Sequence, residues 1–415
     1  MGACESQYSS SKDLKTKDDN FKNKNGQITS HLQQLNTIIQ NENDILKKLN
    51  LEYTTQIERL NTKISDLTEA KLVGLYNIGA NCYMNPTLQC LLNTQKLTDY
   101  FMDKKHIIDN NKKISYEYSK VVRNLCDPTN NKKSYSPHSF KQALAQENPM
   151  LNGIVCNDSK DLIIFLLEKI HQELNSMKNI SNNYEMNNIL SNQLDQFEEK
   201  KMLNNFLKEF SLKYHSKISD LFYGTMETKS QCQKCYKIRY NFQIFNYIDF
   251  PLEQVNEYCI NKRLNNNCFD NNYNQKINII ECFEYFVSNK SMTGNNKMFC
   301  CICNNNNDTI YSKNIYSFPD YLIINLNRGK DSLYQYKIKF PEKLNLLNFV
   351  SYKEGNTYFE LYALISSSIN GHFVAYCKNK LDRKWYKYDD SIVEACECKK
   401  EFCDGIPSLL FYQAL

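Results

Sequence analysis

The chain has 415 residues and a mass of 48.9 kDa, enough for two or three domains of ordinary size with a sizeable core. Hydrophobic residues make up 41% and charged residues 23%, and no apolar run approaches the roughly 20 residues that a membrane-spanning helix needs. The net charge of +5 rests on 51 basic and 46 acidic side chains, too balanced for a nucleic-acid binder, and the first thirty residues lack the apolar stretch of a secretory signal.

Cysteine is overused, at 17. An odd number spread along a large chain without a secretory signal predicts reduced thiols and a cytoplasmic protein, with some of the thiols serving as metal ligands or catalytic groups. Asparagine runs such as Asn304 to Asn307 and Asn265 to Asn267 read as loops.

The N-terminus reads Met1-Gly2-Ala3-Cys4-Glu5-Ser6, the acceptor pattern for N-myristoylation at Gly2. One acyl chain holds a membrane weakly, so a second signal is needed. Residues 1–30 carry five lysines against four acids, which is no polybasic patch, and Cys4 is the better second signal as a palmitoylation site. The competing reading of residues 1–30 is a disordered polar tail with an incidental thiol. The lipidated reading predicts attachment to the cytoplasmic face of a membrane.

Residues 31–70 contain no Gly or Pro and read as helix. Stepping by seven from Leu32 gives Ile39, Leu46, Tyr53, Leu60 and Leu67, all apolar. In the partner seam Leu35 and Leu49 fit. Glu42, Gln56 and Lys63 break it, while Ile57 and Ile64 sit one place further on. The pattern suits a coiled coil, with a homodimer through residues 32–67, equally with a single amphipathic helix packed on the next domain.

The character changes at Gly74, where Gly74-Leu75-Tyr76-Asn77-Ile78-Gly79-Ala80-Asn81-Cys82 precedes Tyr83-Met84-Asn85-Pro86-Thr87-Leu88-Gln89-Cys90-Leu91-Leu92. The first half is a glycine-punctuated loop. The second has helical spacing, with Met84, Leu88, Leu91 and Leu92 on one side. Cys82 therefore sits at a loop-to-helix junction, where unpaired N–H groups favour a thiolate. Asn77, five residues upstream, is placed to donate its amide to an oxyanion. Taken alone, the residue type favours a buried small hydrophobe over a nucleophile at Cys82.

A thiolate nucleophile needs a base and the base an orienting group. Among six histidines, His372 stands out in Gly371-His372-Phe373-Val374-Ala375-Tyr376, followed by Lys384-Trp385-Tyr386-Lys387-Tyr388-Asp389-Asp390-Ser391. Both stretches read as strands and Lys378 to Arg383 as the turn between them, so that His372 and Asp389 can face each other. A structural histidine beside an aspartate would look the same. His171 and His215 fall in helical stretches and show no such partner.

Cys232-Gln233-Lys234-Cys235 and Cys300-Cys301-Ile302-Cys303 are two C-x-x-C knuckles. Four thiolates in two such pairs make a closed tetrahedral site, which predicts structural Zn2+ held by Cys232, Cys235, Cys300 and Cys303. Cys301 is left without a role, and Cys396, Cys398 and Cys403 read as packing residues.

The segment Gly-Leu-x-Asn-x-Gly, Cys-Tyr-Met-Asn, Leu-Gln resembles the cysteine box of the ubiquitin-specific proteases, and Gly-His-Phe followed by aromatic-Asp-Asp resembles their histidine box. Asn81 stands where that family has Thr, Pro86 where it has a small residue and Phe373 where it has Tyr. The resemblance implies Cys82 as nucleophile, Asn77 as oxyanion donor, His372 as general base, Asp389 as third member of the triad and Asp390 in support of the oxyanion or water. It implies the cysteine pairs as a zinc site in the fingers.

Further matches are Asn157-Asp158-Ser159-Lys160-Asp161 at the start of an amphipathic helix, Leu221-Phe222-Tyr223-Gly224 before the first knuckle, and the strand Phe318 to Arg328. Gly329 stands where Phe is usual. Residues 176–214 and 254–280 match poorly and read as insertions.

The expected fold is α+β and papain-like, with a helical thumb, a β palm and zinc-binding fingers. The expected order is a tail over 1–30, a helix over 31–70 and the catalytic domain over 71–415, with fingers near 225–310. The resemblance implies a cysteine deubiquitinase acting on ubiquitin and ubiquitinated proteins. The stretch Ser366 to Asn370 beside His372 reads as a flexible gate. A protease for a ubiquitin-like modifier and an inactive, membrane-tethered ubiquitin-binding scaffold are the alternatives.

Overall fold

The computed structural model describes residues 6–69, 72–103, 113–126, 132–151, 158–176, 196–265, 276–329, 334–353, 355–367, 371–396 and 405–415. The chain divides into two units, Met1–Asp66 and Leu67–Leu415.

The first unit is carried by one helix, α1 (Ser6–Glu69). At 1.5 Å per residue its 64 residues span about 96 Å. It begins at Ser6, so residues expected as a polar tail are helical from there on. Lys, Asp and Ser are not helix breakers, and the stretch contains no proline. Gly2 and Cys4 lie outside the described residues. Leu32, Ile39, Leu46, Tyr53 and Leu60, the heptad seam, are each more than half exposed, as are Ile28, Leu35 and Ile57.

The second unit opens with β1 (Gly74–Leu75), α2 (Met84–Leu92), α3 (Gln95–Met102) and α4 (Lys113–Cys126). Next come β2 (Ser134–Tyr135), α5 (His138–Glu147), α6 (Ser159–Leu174), α7 (Gln196–Lys213) and α8 (Lys217–Phe222). This helical half is the thumb. The poorly matching stretch around 176–214 contains α7, which packs on the fingers through Phe206 against Phe242.

The fingers begin with the hairpin β3 (Gly224–Cys232) and β4 (Ile238–Phe245). The chain then leaves them. β5 (Ile248–Pro251) joins the palm, and α9 (Leu252–Asn265), β6 (Ile277–Asn278) and α10 (Ile279–Val287) pack beneath it. It returns with β7 (Lys290–Met292), the small hairpin β8 (Met298–Cys300) and β9 (Asn305–Asn307), and β10 (Thr309–Ser317). The finger sheet has the order β4-β3-β10-β7. The fingers are therefore two separate stretches, not one run over 225–310.

The palm adds β11 (Tyr321–Asn327), β12 (Ile338–Lys339), β13 (Lys343–Asn345) and β14 (Tyr358–Ser367). It closes with β15 (Phe373–Lys378), β16 (Trp385–Asp389), β17 (Ile392–Cys396) and β18 (Ile406–Ala414). The order is β17-β16-β15-β14-β18-β11-β5, with β13 on β14. All pairs of this sheet are antiparallel except β11 with β5, and β12 lies outside it, paired in parallel with β6.

Period-two alternation divides the palm between two cores. Tyr321, Ile323, Ala375, Cys377, Leu409 and Phe411 face the thumb helices. Leu322, Ile324, Val374, Tyr376, Leu410 and Tyr412 face α9 and α10. Burial on both faces is why β11 opens with the unbroken apolar run Tyr321 to Ile324, and why the Asn325 that follows is buried with Asp249 as its partner. A register shift between Leu361 and Ala363 puts both Tyr362 and Ala363 on the thumb side.

Just beyond β11, the buried Arg328 guanidinium donates to the carbonyls of Pro407, Tyr334 and Tyr336 at 2.9–3.1 Å. Gly329 follows with φ +74, and a Cβ there would lie 2.8 Å from the Tyr334 ring. That ring takes the space in front of the glycine, which accounts for the absence of the usual Phe.

Candidate active site

Strand β1 brings the cysteine segment against the far end of the palm. The Leu75 N–H donates to the Asp390 carbonyl at 2.8 Å, and Ser134 Oγ donates to the Ser391 carbonyl at 3.1 Å. Asp390 and Ser391 form the two-residue turn between β16 and β17, closed by the Asp389–Ile392 pair, and Asp390 has φ +51. The approach is close enough that a Cβ on Gly74 would lie 2.5 Å from the Ser391 carbonyl oxygen. Glycine is required there by contact.

Beyond β1 the loop Tyr76 to Asn81 is held by amide side chains. Asn77 Nδ2 donates to Asp390 Oδ2 at 2.9 Å, and its Oδ1 accepts the Gly79 N–H at 3.1 Å. Asn85 Nδ2 donates to the other oxygen, Asp390 Oδ1, at 2.7 Å. Buried Asn81 accepts the Ile78 N–H at 2.9 Å and donates to Asn85 Oδ1 at 3.0 Å. Asn81 therefore uses both ends of an amide where a threonine has one hydroxyl. Asn81 and Asn85 were not expected at this site. Their i, i+4 spacing into a helix start was the available signal.

Cys82 and Tyr83 form the turn entering α2, with the Asn81 carbonyl accepting from Met84 and Asn85 at 2.9 and 3.1 Å. Cys82 is buried, and it sits in the turn at the N-terminal end of α2, where the helix dipole favours a thiolate. Pro86 is the third residue of α2, where a missing donor costs no helical bond. The helix is buried all round, not on the one side expected, because β14 and β15 pack on it from the palm and α6 from the thumb. Tyr83 fixes its orientation: the phenol donates to the Leu151 carbonyl at 3.1 Å and the Tyr83 carbonyl accepts from Ser159 Oγ at 3.1 Å.

His372 immediately precedes β15, and Asp389 ends β16. His372 Nε2 and Asp389 Oδ1 are 2.8 Å apart. Burial pushes the Asp389 carboxyl up, but the hydrogen bonds from His372 and Lys387 outweigh it and hold the group below its ordinary value. Lys387 Nζ lies 3.2 Å from Asp389 Oδ2. With Nε2 engaged by Asp389, Nδ1 is the ring nitrogen presented to other partners. Neighbouring residues Asp389 and Asp390 thus orient the imidazole and the Asn77 amide respectively.

His171 and His215 both have polar neighbours, and that of His215 is a carboxylate that was not expected. His171 Nδ1 is 2.7 Å from Ser216 Oγ, and burial holds His171 below its ordinary value. His215 Nδ1 lies 3.4 Å from Asp220 Oδ1 at the surface. The His171 pair joins α6 to the cap of α8, whereas His215 lies in the link between α7 and α8, outside the helix expected for it. In the expected gate, Ser366 and Ser367 are buried strand residues of β14, and 368–370 lie outside the described residues. Asn157, Cys398 and Cys403 also lie outside them. Asp158 caps α6 through the Lys160 N–H, and exposed Asp161 lies 3.3 Å from Lys160.

The fingers bring the four knuckle cysteines together. Cys232 and Cys303 sulfurs lie 4.0 Å apart and those of Cys235 and Cys300 3.6 Å, with all four within 4.8 Å of one another. A tetrahedral ion bound at about 2.3 Å requires sulfurs about 3.8 Å apart, which these distances bracket. Tyr236 (φ +58) and Asn304 (φ +48) each follow the second cysteine of a knuckle, so both loops turn back through the left-handed region. The Cys303 N–H pulls the Cys300 thiol down to about 7, whereas the Cys235 thiol pushes Cys303 up to about 12. Four thiol sulfurs gathered around one tetrahedral centre are a donor set that fits a soft divalent metal ion.

The family model "Ubiquitin carboxyl-terminal hydrolase" matches residues 73–412. The chain belongs to this family, the ubiquitin-specific proteases. It is 24% identical over 355 residues to ubiquitin carboxyl-terminal hydrolase Usp2 of Drosophila melanogaster, covering 82% of this chain and 35% of the relative. It is 26% identical over 357 residues to ubiquitin carboxyl-terminal hydrolase 2 of Bos taurus, covering 82% and 55%. The chain thus spans about a third to just over half the length of these relatives. Among solved structures it is similar to the SAGA DUB module Ubp8/Sgf11/Sus1/Sgf73 bound to monoubiquitin, with TM-score 0.61, 20% identity and 84% and 70% of the two chains covered. That likeness establishes the thumb, palm and fingers fold.

Proposed function

We propose that this protein is a thiol-dependent hydrolase that cleaves the peptide or isopeptide bond after the C-terminal glycine of ubiquitin. The observation that carries the reading is the β16–β17 turn, where Asp389 orients His372 and Asp390 orients Asn77 beside the Cys82 helix start. Family membership and the ubiquitin bound to the similar structure support the choice of modifier.

In this reading the Cys82 proton passes to His372, and the thiolate attacks the carbonyl carbon. The oxyanion accepts hydrogen bonds from Asn77 Nδ2 and the Cys82 backbone N–H, the kind of contact worth about 10²–10³ in rate. An Nδ2 group carries two hydrogens, so Asn77 can serve Asp390 and the oxyanion together. The C–N bond breaks as His372 gives its proton to the departing lysine amine. Water then loses a proton to His372 and attacks the thioester, the C–S bond breaks, and the thiol is restored. The fingers would grip the body of ubiquitin.

The metal is read as structural Zn2+ held by Cys232, Cys235, Cys300 and Cys303, which would brace the finger tip and take no part in the reaction. The N-terminal reading is dual acylation at Gly2 and Cys4, placing the protein on the cytoplasmic face of a membrane. Gly2→Ala should move it to the soluble fraction, and an unchanged distribution removes this reading. The exposed heptad seam of α1 supports a homodimer through residues 32–67. Sedimentation of the full chain as a monomer at micromolar concentration would exclude it.

The deciding experiment is reaction with ubiquitin bearing a C-terminal electrophile. A covalent adduct that forms on the wild type and not on Cys82→Ala is the expected result. No adduct from folded, zinc-loaded protein, with an adduct from a ubiquitin-like probe, would transfer the activity to that modifier. Binding of ubiquitin without turnover in either form would make the protein a scaffold.

A further inference from the structure

The Asn77 loop is gripped from a second side. Lys141, on the solvent-facing side of α5, extends its ammonium to the Gly79 carbonyl at 2.5 Å and the Ile78 carbonyl at 3.4 Å. The two residues that follow Ile78 are both left-handed, Gly79 at φ +96 and Ala80 at φ +41. Alanine rarely takes that conformation, and strain of this kind persists only where surrounding contacts fix it.

The orientation of one peptide group links Lys141 to Asn77. The carbonyl of the Ile78–Gly79 peptide points to Lys141, and its N–H, on the opposite edge, donates to Asn77 Oδ1 at 3.1 Å. The preceding N–H, that of Ile78, is held by Asn81 Oδ1 at 2.9 Å. The Ile78 and Gly79 N–H groups therefore face the asparagines, and the carbonyls of the same two residues face the ammonium. A flip of the Ile78–Gly79 peptide would take the donor from Asn77 Oδ1 and leave its amide held at Nδ2 alone.

We propose that Lys141 is a positioning residue for the oxyanion donor: by holding the Ile78 and Gly79 carbonyls it fixes the peptide that orients the Asn77 amide. The inference rests on the hydrolase reading above. Charge gives the contact its strength, since an ammonium bonds carbonyl oxygens more tightly than a neutral donor does. Its location argues against a role in folding. Lys141 is only half-buried and borders an open recess of about 510 Å³ lined by Ile78, His138, Gln142, Ala145 and Gln146. The neighbouring α5 residues Phe140, Ala143 and Leu144 supply the packing into the core.

The test compares Lys141→Met and Lys141→Arg with wild type in steady-state hydrolysis of a ubiquitin C-terminal fluorogenic amide. A misplaced catalytic group commonly costs one to two orders of magnitude, so kcat of Lys141→Met should fall by about tenfold or more. KM should stay within about twofold, because an oxyanion donor acts on the transition state and not on the bound ground state. Lys141→Arg, which keeps a cationic donor of similar reach, should recover most of kcat. The inference is overturned if kcat of Lys141→Met stays within about twofold of wild type, if the loss appears in KM, or if Arg does no better than Met. Wild-type turnover, lost in Cys82→Ala, is scored in the same assay. Its absence would strike the hydrolase reading itself, whereas its presence with an unaffected Lys141→Met strikes only the role of Lys141.

Discussion

Asn77 and Asp390 are separated by 313 positions and joined by a 2.9 Å hydrogen bond, with Asn85 on the other oxygen of the same carboxylate. One side chain thus fixes both the donor loop and the first turn of α2. Asp390→Asn keeps the left-handed backbone, which asparagine tolerates, but offers one acceptor oxygen to two amide donors. We expect kcat to fall about tenfold in Asp390→Asn and about 10²-fold in Asp390→Ala, approaching the loss of an oxyanion donor itself. Steady-state kinetics on both variants check the order. Equal activity of wild type and Asp390→Ala would remove Asp390 from the site.

Asp389 acts on a different partner. Asp389→Asn can donate to His372 Nε2 where the carboxylate accepts, which favours the wrong tautomer. A loss of about 10³–10⁴ in kcat is expected, with ubiquitin binding retained. Calorimetric binding to the inactive variant, alongside its turnover, separates the two effects.

Gly74 sets how closely β1 approaches the turn. Gly74→Ala places a methyl 2.5 Å from the Ser391 carbonyl, a backbone atom that cannot swing away. The cost should be about 1–3 kcal/mol in stability, the usual range for overpacking. Activity should fall further than unfolding explains, because the displaced strand leads directly to Asn77. Denaturant melts and kcat measured on the same sample test both parts. An unchanged melt would mean the strand yields more easily than the contact implies.

His171 predicts a pH dependence of stability. It is buried against Ser216, whose oxygen already accepts the Ile218 and Ser219 N–H groups at 3.2 Å, so the hydroxyl proton points to Nδ1. The fold therefore favours neutral imidazole, and burial lowers its pKa. Above the unfolded value of about 6.5 neither state binds the proton and nothing is lost. As pH falls below that value the unfolded chain takes up the proton first, and stability falls until the folded pKa is passed. The slope is at most about 1.4 kcal/mol per pH unit. Denaturant midpoints between pH 7.5 and 5 should show it, and His171→Asn should flatten it.

Removing the metal should act on stability before chemistry. One zinc per chain is expected in the purified protein, and none in Cys235→Ser or after strong chelation, with a melting temperature lowered by several degrees. Elemental analysis with thermal melts provides the check. A metal-free wild type with an unchanged melt after zinc addition would rule out the site.

Much of the arrangement was legible in the sequence because its signals are local. The glycine loop before Cys82, the paired strands around His372 and Asp389, and the two C-x-x-C knuckles each carry their meaning within about twenty residues. That an insertion separates the two knuckles was legible from the poor match over 254–280, but its place in the palm was not, because the pairing of β5 with β11 joins residues far apart in the chain and leaves no local mark. The helical burial of α2 was underestimated because polar Asn85, Thr87 and Gln89 look solvent-facing. They are buried, with Gln89 Nε2 on the Val73 carbonyl at 2.9 Å and Asn85 on Asp390. Lys141 could not be found at all from sequence, since a lysine on a helix surface gives no sign of the carbonyls it reaches.

The position of β18 bears on how the protein comes into being. This strand, Ile406–Ala414, is inserted between β14 and β11 in the middle of the palm. During synthesis the cysteine segment leaves the ribosome more than three hundred residues before that strand, and the palm stays split until it arrives. A fragment stopped short of Ile406 carries Cys82, His372 and both aspartates yet lacks the strand that joins the two halves of the sheet beneath them. Premature termination should therefore yield an inert product exposing apolar strand edges, a substrate for degradation and not a partial enzyme.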